Sequence, residues 1–172
     1  MRRVRYSVAM SLDGYIAGPK GEFDWIPMDP DIDFGALFKR YDTILMGRKS
    51  WDMARKQHES SGGGMQMPTY VFSRTLRQAD CPGAIVSHDI KKTVTELKQL
   101  QGKDIWLWGG GELFRSLLEL GLVDEVELAI VPVMLGAGLP MLPSAKKLAK
   151  LKLVKHKIYP KTGTVLLSYE VK

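Results

Sequence analysis

The run Ile105-Trp106-Leu107-Trp108 is followed at once by Gly109-Gly110-Gly111. After it, Leu113, Phe114, Leu117 and Leu118 recur at helical spacing as far as Gly121. Four consecutive apolar residues suit a strand buried on both faces, the habit of parallel sheets covered by helices. The later spacing is that of one helix face, and Gly121 stands where a helix would end. Strand, glycine turn and helix in this order restrict the chain to folds with helices layered on a parallel sheet. The unit has two readings. Glycines let a backbone approach a ligand, and a helix N-terminus offers unpaired N–H groups and positive potential, which together suit an anion. A tight turn without a ligand would have the same sequence.

The remaining elements repeat the pattern. Strands are expected at Val4–Met10, Thr43–Met46, Thr69–Phe72, Ala84–Ser87 and Asp124–Val131. Asp33 is placed to cap a short helix carrying Phe34, Leu37, Phe38 and Tyr41. Ser50 is the expected cap of a second helix, and Asp89 of a third with Ile90, Val94 and Leu97 inward and Gly102 closing it. The stretch from Gly18 to Asp31 is rich in Gly, Pro and Asp but holds Phe23 and Trp25, so an ordered loop over a site is expected. Glu59 to Pro68 reads as a surface loop, and Leu135 to Pro140 as a turn-rich one. Leu151–Tyr159 and Thr164–Val171, joined through Pro160-Lys161-Thr162-Gly163, read as a hairpin. One domain over residues 1–172 follows. It is a three-layer α/β fold whose mostly parallel sheet has an antiparallel edge and a C-terminal hairpin. With Leu166 facing away from Val165 and Leu167, that hairpin offers an edge for a homodimer.

Composition excludes several classes. The net charge is +6, but the lysines between Lys146 and Lys161 alternate with Leu148, Leu151, Leu153, Val154 and Ile158. That is a solvated face over a core face, and no nucleic-acid partner is expected. Cys81 is the only cysteine, so no internal disulfide forms. No apolar run approaches the roughly 20 residues of a membrane span, and the charged N-terminus is unlike a signal peptide. A cytoplasmic protein without membrane partners is the expectation. His58, His88 and His156 stand in no metal-ligand spacing, and no nucleophile elbow occurs.

In a parallel sheet, ligands gather at the carboxyl ends of strands. Four such ends carry glycine, hydroxyl or cation groups: Ser11 to Gly14, Gly47 to Ser50, Ser73 to Thr75, and Gly109 to Gly111. Gly47-Arg48-Lys49-Ser50 is not a Walker loop, because Asp42 stands where its upstream glycine belongs. The third glycine turn is not a dinucleotide fingerprint either, since Phe114 replaces its last glycine. Two helix N-termini could nevertheless take the two sides of a pyrophosphate, and Ser73-Arg74-Thr75 would suit a separate phosphate such as the 2′-phosphate of NADP. With no metal set and no activated nucleophile in the sequence, the chemistry is expected to belong to a cofactor.

Six motifs in fixed order carry a family resemblance over nearly the whole chain. They are Ser11-Leu12-Asp13-Gly14-Tyr15-Ile16-Ala17, Met46-Gly47-Arg48-Lys49-Ser50-Trp51, Val71-Phe72-Ser73-Arg74-Thr75, Trp108-Gly109-Gly110-Gly111-Glu112-Leu113, Gly121-Leu122-Val123-Asp124-Glu125 and Pro132-Val133-Met134-Leu135-Gly136-Ala137-Gly138. The sequence resembles the dihydrofolate-reductase-like superfamily. It is closest to the riboflavin-pathway reductase domain, the C-terminal half of the bacterial bifunctional deaminase–reductase, and its free-standing relatives. The resemblance implies an NADPH-dependent oxidoreductase acting on a small heterocycle, like 5-amino-6-(5-phosphoribosylamino)uracil reductase. By the same resemblance Gly47, Arg48, Lys49 and Ser50 hold the pyrophosphate and adenosine phosphate. Ser73, Arg74 and Thr75 flank the adenine ribose, and Gly109, Gly110, Gly111, Glu112, Leu113 and Phe114 cradle the pyrophosphate. Ala9 and Ile16 offer backbone groups to the nicotinamide amide. Ser11 and Asp13 face the substrate, with Asp13 as its anchor and as part of a proton relay, and Trp25 is placed to stack on a flat ring. No metal is implied. Dihydrofolate reductases carry a carboxylate on their first helix. Phe34 falls at that position here, with Asp33 one residue out and so turned by roughly 100°. Dihydrofolate reductase, or a non-catalytic NADP-binding dimeric protein, are the alternatives.

Overall fold

The apolar runs assemble as parallel strands in a computed structural model that describes residues 1–61 and 67–172, the side chains of 57–61 excepted. β1 (Val4–Ser11) lies between β6 (Asp104–Gly109) and β7 (Glu125–Val131). β3 (Tyr41–Gly47) follows β6 on the other side, then β4 (Thr69–Phe72) and β5 (Ile85–Ser87). All these pairs are parallel. β10 (Thr164–Val171) runs antiparallel to β7, and β9 (Leu151–Tyr159) is the outer, antiparallel edge. This is the expected three-layer α/β fold, with a mostly parallel sheet and a C-terminal hairpin in dihydrofolate-reductase-like order.

Alternation along β3 sets the two layers. Leu45 points into a cluster with Tyr6, Leu107, Val126, and the helices α3 (Ile90–Gln99) and α4 (Gly111–Glu119) through Val94, Leu97, Leu113, Phe114 and Leu117. Its neighbours Ile44 and Met46 point the other way, to Val71 and to Trp51 and Ala54 of α2 (Arg48–Ser61). α1 (Phe34–Lys39) is on this second face. Phe38 lies 5.5 Å from the Trp106 ring, and Arg40 Nη1 reaches buried Glu127 Oε2 at 3.2 Å. Each fully buried aliphatic side chain, such as Leu117, stabilises the fold by roughly 1.5–3 kcal/mol.

The helix signals are obeyed to different degrees. Asp33 and Asp89 cap α1 and α3, accepting from Ala36 N at 2.8 Å and Lys92 N at 2.9 Å. Gly121 ends α4 at φ +68°, with its N–H on Leu118 O and that of Leu122 on Leu117 O, a Schellman closure. Four expectations are corrected. α2 begins at Arg48 and not after Ser50, because β3 runs through Gly47 and the helix starts at the next residue. Tyr41 opens β3 and is not part of α1, which stops at Lys39. Leu100 leaves α3 in extended conformation, so Gly102 belongs to the next turn. α2 runs on to Ser61 into the expected loop Glu59–Pro68, of which 62–66 lie outside the described residues. Two strands were not expected: β2 (Tyr15–Ala17) pairs with β8 (Leu139–Pro140), and both are too short to show a period.

Candidate functional site

Because β1, β3, β4 and β6 are parallel, their carboxyl ends share one edge of the sheet. The chain turns there at Ser11, Gly47, Ser73 and Gly109.

The β3–α2 and β6–α4 turns are side by side. A Cβ on Gly47 would stand 3.8 Å from Leu113 Cβ, and Cβ atoms on Gly109 and Gly110 would stand 3.3 and 3.2 Å from Ser50 Oγ. The N-termini of two helices therefore open at the same place. Neither presents a free acid. The first turn of α2 has none, and Glu112 of α4 is bonded to Arg115 at 2.5 Å. Each N-terminus adds roughly 0.3–1 kcal/mol of attraction for an anion. Leu113 and Phe114 are buried, Phe114 stacking on Tyr6 at 4.0 Å, and Phe114 N already donates to Gly110 O at 3.0 Å, so Leu113 can offer a ligand only its backbone N–H and Phe114, against expectation, none.

The turn after β4 joins this edge through a cation. Arg48 Nη1 donates to Thr75 Oγ1 at 3.1 Å, with Nε 3.8 Å from Asp52. Ser73 Oγ accepts from Thr75 N and Leu76 N, both at 3.1 Å, which fixes the turn and leaves Arg74 on its exposed surface. Arg48, Lys49 and Arg74 are all exposed. Two helix N-termini, a glycine turn and three cations fit a diphosphate with a further phosphate, as in NADPH.

The β1 end is built differently. Ser11 is fully buried, and its Oγ donates to Asp13 Oδ1 at 2.6 Å and accepts from Tyr15 N at 3.0 Å. Asp13 also accepts from Leu135 N at 3.1 Å and Gly136 N at 2.7 Å. These bonds, the one from Ser11 foremost, hold its carboxyl below the usual range. The backbone N–H of Asp13 itself is a fourth donor to the carboxylate, so a ligand N–H would share an oxygen with one of these. Ala9 and Ile16 flank this corner, half-buried, with backbone groups in β1 and β2. The Leu135 and Gly136 amides were not foreseen. Their one sequence signal is Gly136, which takes φ +71° where the loop turns back onto Asp13. Trp25 sits partly buried in the loop after β2, Nε1 donating to Glu22 O at 3.1 Å. That loop is ordered, as expected. Buried Asp29 accepts from Thr162 Oγ1 at 2.7 Å, and Asp31 meets Lys161 Nζ at 3.0 Å, pinning it to the turn of the β9–β10 hairpin.

Among the described residues no helix is long and apolar enough to cross a membrane, and no cluster of His, Cys, Asp and Glu is arranged to hold a metal.

Comparison with known proteins gives a consistent picture. The profile of the family described as the RibD C-terminal domain matches residues 2–165. The Bacillus subtilis protein YyaP is 38% identical over 178 aligned positions, covering 98% of this chain and 94% of that protein. The crystal structure of a putative riboflavin biosynthesis protein from Shewanella sp. PV-4 superposes with a TM-score of 0.83 at 25% identity, covering 100% of this chain and 99% of that one. Dihydrofolate reductase from Enterococcus faecalis, solved in complex with NADP(H), shares the fold with a TM-score of 0.69 at 16% identity, covering 99% and 96%.

Proposed function

The chain belongs to the RibD C-terminal domain family, and from that premise we propose that it is an NADPH-dependent reductase of a small heterocyclic substrate. The substrate class is that of 5-amino-6-(5-phosphoribosylamino)uracil reductase, and the protein acts as a homodimer in the cytoplasm. One observation carries the reading: the N-termini of α2 and α4 open side by side over the Gly109–Gly111 turn, with Arg48 reaching across to Thr75.

In this reading the N–H groups from Gly47 to Ser50 and from Gly110 to Leu113 bind the pyrophosphate. Arg48, Lys49 and Arg74 neutralise the phosphates beside Ser73 and Thr75, and backbone groups of Ala9 and Ile16 orient the nicotinamide amide. Bound NADPH supplies the hydride. The chain's own part is positioning and the exclusion of water by the ordered loop that carries Trp25. Asp13 and Ser11 form the substrate corner. A carboxylate held below its usual range stays ionised at neutral pH, so Asp13 serves as an acceptor that anchors a ring N–H and is a poor proton donor. Folate reduction fits less well, because Asp33 is occupied as the cap of α1.

The test is NADPH oxidation with a panel of aminopyrimidine ribosyl phosphates, pyrimidines and dihydrofolate, for the wild type and Asp13→Asn. The reading expects turnover with the ribosylaminopyrimidine, abolished in Asp13→Asn while NADPH affinity is kept. Turnover with dihydrofolate alone, or weakened NADPH binding with intact turnover in the variant, would refute it.

A further inference from the structure

Beside the site, one face of the sheet is packed and the other is not. Val8 and Met10 of β1 and Leu128 and Ile130 of β7 join the core under α3 and α4. Their neighbours turn to the face on which α1 lies, in register pair by pair. Three rows therefore cross that face: Ser7–Glu127, Ala9–Ala129 and Ser11–Val131. The last of them carries the Asp13 corner, through Ser11 Oγ.

The Ser7 row is filled. Buried Glu127 accepts from Ser7 Oγ at 3.1 Å and from Ser168 Oγ at 3.3 Å, and Arg40 Nη1, at the end of α1, closes over it at 3.2 Å. On the other side, Trp106 leans along the seam between β6 and β1. Its register partner is Arg5, yet its Nε1 donates to Ser7 O at 3.1 Å. The strands part at this point: β1 pairs with β7 from Arg5 to Ser11, but with β6 only from Val4 to Tyr6. Tyr41 stacks on the indole at 5.4 Å, and Phe38 of α1 lies against it at 5.5 Å. The bond and the two aromatic neighbours hold the ring in place. The next row is the reverse. Ala9 and Ala129 carry small side chains on strands inside the sheet, and both stay only half-buried. Accessible alanines in the middle of an otherwise packed sheet mark open space above it.

We propose that Trp106 is a specificity-determining residue: its indole, set against Ser7, ends the substrate slot at the Ala9 row and limits the substrate to a single heterocyclic ring. The inference rests on the reductase reading, which puts the nicotinamide at Ala9, and it narrows the substrate class within that reading. From the Ala9 row to the Ser11 row the strand rises roughly 7 Å, which takes one six-membered ring along the strand and not two fused rings. A fused bicycle held at the Asp13 corner would run into the indole, which cannot swing away without breaking its bond to Ser7 O.

Calorimetric binding to the full chain loaded with NADP⁺ tests it. The single-ring probe is 5-amino-6-(5-phosphoribosylamino)uracil and the fused-ring probe is dihydrofolate. The wild type should bind the single ring and discriminate against dihydrofolate by about a hundredfold or more. Trp106→Leu should bind dihydrofolate about tenfold or more tighter than the wild type does. A variant that had only lost structure would bind both probes more weakly, so a gain for one of them separates the two effects. Unchanged or weaker dihydrofolate binding in Trp106→Leu would overturn the proposal, as would a wild type that binds both probes equally or neither. Should Trp106→Leu fail to fold, Trp106→Phe keeps a ring beside Tyr41 and Phe38 while removing part of the indole. It should show the same gain in smaller measure, and no gain would overturn the proposal. The reductase reading fails separately: a wild type that binds the single ring but oxidises no NADPH with it would refute that reading and leave the size limit standing.

Discussion

Gly111→Ala puts the packing of the central turn to a quantitative test. A Cβ on Gly111 would stand 2.6 Å from Pro140 O, 2.8 Å from Pro143 Cδ and 3.0 Å from Met141 O. Two of these neighbours are backbone oxygens and the third is a proline ring, so no flexible side chain can swing aside. Gly111 opens α4 without a positive φ, so alanine brings no left-handed strain, and helix propensity favours it by about 1 kcal/mol at most. Overpacking a fixed site costs about 1–3 kcal/mol, and three approaches at or below 3.0 Å place this one near the top of that range. The net loss is about 1–2 kcal/mol. At ~2–4 °C per kcal/mol for a chain of this size, Tm should fall by roughly 2–8 °C. Gly47→Ala is the control: its Cβ would meet Leu113 Cβ at 3.8 Å, an ordinary contact, and Tm should move by less than about 2 °C. Differential scanning calorimetry reads both. A Gly111→Ala protein that melts at or above the wild-type temperature would refute the close packing of α4 against the 140–143 segment.

Two further outcomes follow from buried and bonded groups. Tyr6 has a buried hydroxyl without a hydrogen-bond partner, and burial pushes its phenol well up. Tyr6→Phe keeps the ring on Phe114 and removes an unpaired polar atom, so it should raise stability by about 1–2 kcal/mol in urea titration. A loss of stability would mean that the hydroxyl has a partner. Asp13 has a folded pKa below its ordinary value of 3.8, so its bonds contribute stability that is complete above that value and declines as pH falls through the folded pKa. The urea midpoint of Asp13→Asn should therefore decline less steeply than the wild type's below about pH 4. Parallel acid limbs would contradict the assignment.

How much was legible depends on the range of each interaction. Ile44, Leu45 and Met46 form a run with no alternation, and the fold buries them on both faces between helix layers. The Asp33 and Asp89 caps and the Gly121 closure were also readable, because each involves residues within one turn. The start of α2 was misplaced because a hydroxyl at Ser50 looks like a cap, whereas its buried Oγ stands against the Gly109–Gly110 turn. Strands β2 and β8 are set by each other, not by local pattern. The site divides in the same way. The glycines and cations at the strand ends were visible, but the amides that fix Asp13 lie 122 and 123 residues along the chain. Spacing does not reveal such a partner. The hairpin was legible as two strands, and its lysines were correctly placed on a solvated face, but the apolar face opposite them is not covered by this chain.

The central claim is that the strand ends at Gly47, Ser73 and Gly109 form one site for NADPH. Isothermal titration of NADPH and NADH against the wild type, Arg48→Ala and Arg74→Ala tests it most directly. Removing a guanidinium that bonds a phosphate should weaken NADPH binding by about tenfold or more, or ~1.4 kcal/mol, while NADH binding changes less in Arg74→Ala. The claim predicts that the wild type prefers NADPH and that the preference collapses in Arg74→Ala. Equal affinity of the wild type for both cofactors, or binding of neither, would contradict it.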